Sequence, residues 1–492
     1  MKTLKFIYIF IVALLGSALT SCIEDGITTS PSAQPQFSVD TLNLGDLFTL
    51  GPSPTAKFVV YNRNDKGISL SSVRFRDDAK GIFRLNVDGM SGTDFSNVEI
   101  RANDSIYIFV EATLPENGKH TAINYMSYID VTTNGVTQSV PVRASGRDVT
   151  RLKAYRINHS QTFSAEKPYQ IFDSLVVDPG VTLTIPAGAE LFMHSKAEII
   201  VYGTLNIAGT AAKPVNITGD RSGFVAADIP YEIMSGQWGG ITFKPTSKGN
   251  TISHASIRNP EYGVVVDNVP WTAQRPSLSI DNSVVRNSKG FVLQAGNSYL
   301  KAVNCELADA SAGLLYLYGG KTEVNHCTLA NFYLFTAAGP AVILDHTGAA
   351  AANDPDKVNP PLIADFSNTI FYGNGTEVLH YRYKDKEGEN MIADNDLKGV
   401  DVMFARCLLK SKGEDDQQFI NCLWDTDPLF YTVREDYYFD YRLKPDSPAL
   451  GAADPALTLE AARYYDLLGT PRPATPSLGA YETNPDAEAS PE

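Results

Sequence analysis

The chain has almost no stretch of helical apolar periodicity, few cysteines and no excess of positive charge. Without apolar residues recurring at i, i+3 and i+4, a helical fold has nothing to build on. The five cysteines never fall at the C-x2-C spacing of a zinc site, so no metal is expected. Lysine and arginine number 41 against 56 aspartates and glutamates, a formal charge of -15. That leaves no electrostatic footprint for a nucleic-acid partner. What is present is 37 Gly, 28 Pro and 24 Tyr, with many Val/Ile/Thr runs, which favours strands and turns. A length of 492 residues, 43% hydrophobic and 20% charged, exceeds one compact core and predicts two or more folded domains or an elongated repeat.

The single long apolar run, Phe6 to Leu19, follows Lys2 and Lys5 and is short for a membrane span of roughly 20 residues. It reads as the apolar core of a signal peptide. It ends Leu19-Thr20-Ser21-Cys22, which resembles the lipobox of bacterial lipoproteins. That resemblance implies a signal peptide over 1–21, cleavage before Cys22, lipidation of that residue, and a tether over 22–35. Several acyl chains at ~0.8 kcal/mol per buried CH2 make such an anchor effectively permanent. Ile23-Glu24-Asp25 resembles the acidic export signals of Bacteroidetes surface lipoproteins, which implies an outer-membrane, surface-exposed location.

Between 36 and 148, short strand-like runs alternate with turn signals: Phe58-Val59-Val60-Tyr61, Phe83 to Val87, Ile106 to Val110 and Val140-Pro141-Val142. This spacing predicts a β-sandwich of about seven strands. The stretch from Ala102 through Asn134-Gly135 to Gly146 resembles immunoglobulin-like domains of the ASPM/SPD-2/Hydin kind, which implies a spacer or docking module. Residues 149–164 are expected as a linker or first-coil cap.

From about 165 to 485 the chain repeats. Asn282-Ser283-Val284-Val285-Arg286-Asn287 recurs as Asn304-Cys305-Glu306-Leu307-Ala308-Asp309 and as His326-Cys327-Thr328-Leu329-Ala330-Asn331, each a step of 22 residues. Copies also begin at His254, Asn368, Arg406 and Asn421. Side chains alternate faces along a strand, so the second and fourth columns point the same way. The fourth column is apolar: Ile257, Val285, Leu307, Leu329, Phe371, Leu409, Trp424. The second is small and holds every cysteine except Cys22: Ala255, Ser283, Cys305, Cys327, Thr369, Cys407, Cys422. Both are predicted to face inward. Coils of about 22 residues stacked at ~4.8 Å bury such a face continuously, as in a parallel β-helix. Asn287, Asp309 and Asn331 suit the corner that ends the strand. His254 and His326, in the first column, are expected to be solvated.

Pro179-Gly180-Val181-Thr182-Leu183-Thr184-Ile185, Gly203-Thr204-Leu205 and Gln237-Trp238-Gly239-Gly240 resemble phrases of the right-handed parallel β-helix proteins of the pectin-lyase-like group. Asp427-Pro428-Leu429-Phe430, Ser447-Pro448-Ala449-Leu450, Asp466, Gly469, Pro471-Arg472 and Gly479-Ala480-Tyr481-Glu482 resemble that group's closing segment, which implies a cap over the last coil; 486–492 are a tail. The fold class expected is therefore all-β, an N-terminal Ig-like sandwich followed by a right-handed parallel β-helix. Neighbouring-coil cysteines, Cys305 with Cys327 and Cys407 with Cys422, are either small buried thiols or disulfides, the former being simpler because in-register stacking makes bridging awkward.

Three functions remain open. The first is a noncatalytic glycan-binding or adhesive module, with Trp271, Tyr381, Tyr383, Tyr437 and Tyr438 as candidate stacking rings. Insertions at 334–366 and 375–403 are expected to shape its groove. The second is an accessory subunit of an outer-membrane transporter or assembly complex. The third, implied by the catalytic members of the group, is a polysaccharide lyase or glycoside hydrolase. A lyase would draw on Arg382, Lys384, Asp385, Asp394 and Asp396, with Ca2+ as the only cofactor it would need. Of the hydrolase motifs only Asp415-Asp416 is present, and Asp345-His346 is an isolated dyad.

Overall fold

A computed structural model describes residues 26–76, 81–119, 121–226, 229–336, 338–345, 361–375, 377–385, 388–392, 400–435 and 437–483. The chain divides into two compact units, one ending at Asp148 and the other starting at Val149. Cys22, with the rest of the leader, lies outside the described residues, as do His346, Asp394 and Asp396.

The first unit is a β-sandwich of a five-stranded and a six-stranded sheet. Period-2 alternation builds it: in Ser105–Ala112, Ile106, Ile108, Val110 and Ala112 are buried while the residues between them face out. The strands are more numerous than the seven the sequence suggests. Met90–Gly92, Asp94–Phe95 and Val98–Ile100 are short edge pieces with too little apolar alternation to read. Asn134 and Gly135 both take positive φ, 51° and 80°, and close the hairpin that pairs Ile123–Thr133 with Val136–Arg147. Only such a turn matches the twist of its flanking strands.

The second unit is a parallel β-helix whose strands belong to one continuous 27-stranded network. Each coil contributes to three sheets. Sheet A contains Ala255–Arg258, Val284–Ser288, Glu306–Ala310, Thr328–Asn331 and Ile370–Gly373. Sheet B contains Val264–Asp267, the first halves of Phe291–Val303 and Gly313–Asn325, Val342–Asp345 and Leu379–Asp385. Sheet C contains Leu278–Asp281, the second halves of the two long strands, Leu362–Ser367 and Asp401–Ala405. Pairing begins at Thr150, which stacks on Tyr169, so much of 149–164 forms part of the first coil.

The register stacks the fourth column as the repeat requires, Ile257 on Val285, Leu307, Leu329, Phe371, Leu409 and Trp424. All are buried except Trp424, which lies half-buried at the open end against Phe419. Phe366, Phe404 and Phe419 stack as a second interior row, with interplanar angles of 15° and 9°. The four thiols are free; Cys305, Cys327 and Cys407 are buried and Cys422 half-buried. Burial, with the neighbouring Cys327 thiol, pushes Cys305 well above the usual thiol range. Burial likewise raises Cys407, and lifts Cys422 to about 11. Cys305, Cys407 and Cys422 stay protonated, and the thiols behave as small apolar side chains.

One expectation fails. The first column is a corner, not a solvated strand position. His254, Asn282, Asn304, His326, Asn368, Arg406 and Asn421 all have φ between 47° and 56°, where Asn is least penalised. Asn304 donates to Asn282 Oδ1 at 2.6 Å, and His326 is fully buried, its Nε2 2.9 Å from Thr458 Oγ1 and 3.1 Å from Asn368 Nδ2. The closing segment reaches the last coil, where Leu423 packs against its apolar cluster, but is not confined to it. Residues 428–483 run back along the outer face of sheet A. They cover Ala308, Ala330, Ile370 and Leu408 with Phe430, Tyr441, Leu443, Ala449, Leu478 and Ala480. These outward positions are small or apolar, so they need a cover. Gly479 takes φ 83° beside Thr328 Oγ1, where a Cβ would sit 2.6 Å away. Arg472 pairs with Glu482 at 2.6 Å and donates to Asn304 Oδ1 at 2.7 Å.

Burial, reinforced by Arg472, holds His326 well below the usual imidazole range, whereas the unfolded side chain titrates near 6.5. Below that pH the unfolded state binds a proton that the folded state refuses, so stability falls as pH drops through about 6.5. His326→Asn, the residue at this column in neighbouring coils, is expected to remove that component. The slope of melting temperature between about pH 5 and 7 should be shallower than in the parent chain.

Candidate functional site

Beside the closing segment, a cleft of about 650 Å³ opens on the outer face of sheet A. Its floor is the fifth repeat column, in which Arg258 stacks on Arg286 in register. One wall is the hairpin of Phe430–Glu435 and Tyr438–Leu443, with Tyr437 and Tyr438 at its turn and Phe439 beside them. The opposite wall, around Glu232 and Ile233, is held by a corner amide: Asn259 Nδ2 donates to the Glu232 and Met234 carbonyls at 2.7 and 2.9 Å. Tyr333 is fixed by its hydroxyl, 2.6 Å from Ser235 Oγ.

At the inner end lies a buried charge network. Arg286 donates to Glu306 Oε1 at 3.1 Å and to Asp309 Oδ2 at 2.8 Å. The second oxygens are taken by the closing segment: Tyr481 donates to Glu306 Oε2, and Tyr441 to Asp309 Oδ1 at 2.6 Å. Burial lowers the Arg286 pKa, but the charges of Glu306 and Asp309 outweigh it and the net shift is upward. Tyr441 and Tyr481 are pushed well above the phenol range by burial and by these same carboxylates, so they remain donors. With all four carboxylate oxygens engaged, the pair holds the closing segment down and is poorly placed to exchange protons with a ligand.

Arg258 differs. It is exposed in the cleft yet crowded by the walls, and this desolvation, with the positive charge of Arg286, draws its pKa down. Its Nε donates to Ser256 Oγ at 3.0 Å. Tyr437 and Tyr438 are 38% and 47% exposed, so two free rings face a fixed hydrogen-bonding wall.

Among the candidate rings whose side chains the structure describes, it brings these two together. Trp271, 40% exposed, packs edge-on against Tyr299 at 5.7 Å on the sheet C side. Tyr381 and Arg382 lie on a coil strand, paired with Leu344 and Asp345, so this part of 375–403 is a rung and not a projecting loop. Tyr383, Lys384 and Asp385 follow on a hairpin paired with Gly388–Ile392. Asp415 and Asp416 close a turn: Asp416 Oδ1 accepts from Gln418 N and Phe419 N, and Asp415 Oδ1 from Cys422 N. Among the described residues no cluster of His, Cys, Asp and Glu could hold a metal ion.

Fold and cleft together define a parallel β-helix protein with a lateral, aromatic-rimmed cleft. No family model and no curated protein matches the chain. Solved structures similar to parts of it include a protein of unknown function from Porphyromonas gingivalis, at 17% identity over 25% of this chain and 50% of that one, TM-score 0.17. The ASH/PapD-like domain of human CEP192 aligns at 8% identity over 26% of this chain and 95% of that one, TM-score 0.18. The catalytic unit of a GH87 α-1,3-glucanase from Streptomyces thermodiastaticus aligns at 10% identity over 75% and 85%, TM-score 0.15. This chain spans about half the length of the Porphyromonas protein. At these scores the likenesses carry no argument, and the fold stands on the strand pairing alone.

Proposed function

We propose that the β-helix unit is a noncatalytic saccharide-binding module, carried on a lipid-anchored, surface-exposed outer-membrane protein. The anchor rests on the sequence Leu19 to Cys22 behind its apolar run. The binding reading rests on one observation: the Tyr437 and Tyr438 rings stand exposed in a cleft that also holds polar side chains fixed by hydrogen bonds, among them Arg258, Tyr333 and Arg286. Rings of this kind stack on the C–H faces of sugars while fixed polar groups bond their hydroxyls. The saturation of Glu306 and Asp309 favours binding over hydrolysis at this cleft.

In affinity electrophoresis of the chain from residue 23 onward, at least one polysaccharide in a neutral and acidic panel is expected to retard migration. Tyr438→Ala should weaken that retention roughly tenfold, the loss of about 1.4 kcal/mol. No retention on any polymer, or retention unchanged in Tyr438→Ala, would contradict the reading. The exposed Tyr464, Tyr465 and Leu468, the last lining the same cleft, favour a second reading, an accessory subunit docked on an outer-membrane protein. Co-purification of one stoichiometric partner from membranes, lost in Tyr464→Ser/Leu468→Ser, would support it.

A further inference from the structure

We propose that the β-sandwich carries a second saccharide-binding site, a groove of about 680 Å³ on the outer face of its five-stranded sheet. A sheet serving only as a spacer has no need of aromatic rings on its wet face. Here Ser105–Ala112 buries Ile106, Ile108 and Val110 and turns Tyr107 and Phe109 outward. Phe109 lines the groove, and Tyr107 stands beside it, 47% exposed, the two rings stacked at 6.0 Å with an interplanar angle of 27°.

Cross-strand register surrounds these rings with polar groups. Asn86 lies opposite Phe109, and Ser91 opposite Asn86; on the far side Lys57 is opposite Phe109, its Nζ 5.2 Å from the Tyr107 centroid. The polar rim is already ordered. Asn86 Nδ2 donates to Ser91 Oγ at 3.1 Å, its Oδ1 accepts from Gly89 N at 3.0 Å, and Thr55 donates to Glu111 at 2.5 Å. Arg84 and Glu111 lie 3.5 Å apart, so the groove's two opposite charges offset each other, which suits a neutral, hydroxyl-rich ligand better than an ion. The volume falls within the roughly 300–1,000 Å³ of small-ligand sites, and a sugar ring stacked on Phe109 would present its hydroxyls to Asn86, Ser91 and Glu111. Ordering the rim beforehand reduces the entropy lost on binding.

The test uses the chain from residue 23 onward with Tyr437→Ala and Tyr438→Ala, which disables the β-helix cleft. Residual retardation by at least one neutral polysaccharide is expected, and adding Phe109→Ala, which removes the ring lining the groove, should weaken it roughly tenfold while the protein still melts cooperatively. Hydrogen exchange should slow over 84–92 and 107–111 when that polymer is added. Loss of all retardation in the cleft variant would overturn this second site and leave the first standing. Residual binding unchanged by Phe109→Ala, or protection confined to other strands, would also overturn it. An unsubstituted chain that no polymer retards would overturn both sites.

Discussion

Leu307→Asp is expected to abolish the folded β-helix. Leu307 is fully buried, stacked between Val285 and Leu329 in a row that runs through successive coils. The substitution removes about 2–3 kcal/mol of apolar burial and leaves a carboxylate without a counterion, worth about 3–5 kcal/mol more. Against a typical total of about 5–15 kcal/mol, a cooperative melt should be lost or shifted far down, with proteolysis spreading through 165–483. Cys305→Ser, in the same coil, should cost only about 1 kcal/mol. The Cys305 thiol already lies within bonding reach of the Ile280 and Val303 carbonyls, which a hydroxyl can take over. The order of these two costs follows from the column assignment; the reverse order in thermal melts would refute it.

Arg286→Met carries the second large effect. It leaves Glu306 and Asp309, both buried, without the cation that joins them. Breaking a buried pair on one side costs about 3–5 kcal/mol, and the loss falls where Tyr441 and Tyr481 tie down the closing segment. Limited proteolysis should therefore cut first within 428–483 while the coils persist. Adding Glu306→Gln and Asp309→Asn should restore much of the resistance, because neutral amides no longer require a counterion. Equal proteolysis of Arg286→Met and parent chains would show that the network does not hold the segment.

The interior was legible because a parallel coil repeats its inward columns, and residues such as Leu307 and Cys305 are confined to size and polarity classes that show in one sequence. The outer face was not. Arg258 and Arg286 occupy the same column, and Glu306 stands where other copies have Ser, Val, Thr, Ile or Leu, yet nothing local says that a segment more than a hundred residues onward supplies Tyr441 and Tyr481 to meet them. The same blindness made His326 look solvated. Its burial comes from Thr458 and Asn368, one of them far away in the chain. Tyr437 and Tyr438 were found as exposed rings, but the cleft around them depends on how the closing segment lies against sheet A. In the sandwich, Tyr107 and Phe109 were visible only as part of a strand-like run, since alternation shows which residues face out and not which lie across from them.

A density map of the second unit tests the central claim most directly. Ile257, Val285, Leu307, Leu329 and Phe371 should form one dry interior row at ~4.8 Å spacing, with the Tyr441 hydroxyl on Asp309 outside it. A map that scatters those five side chains over unrelated elements, or shows Cys305, Cys327 and Cys407 facing water, would contradict the coil and the cleft built upon it.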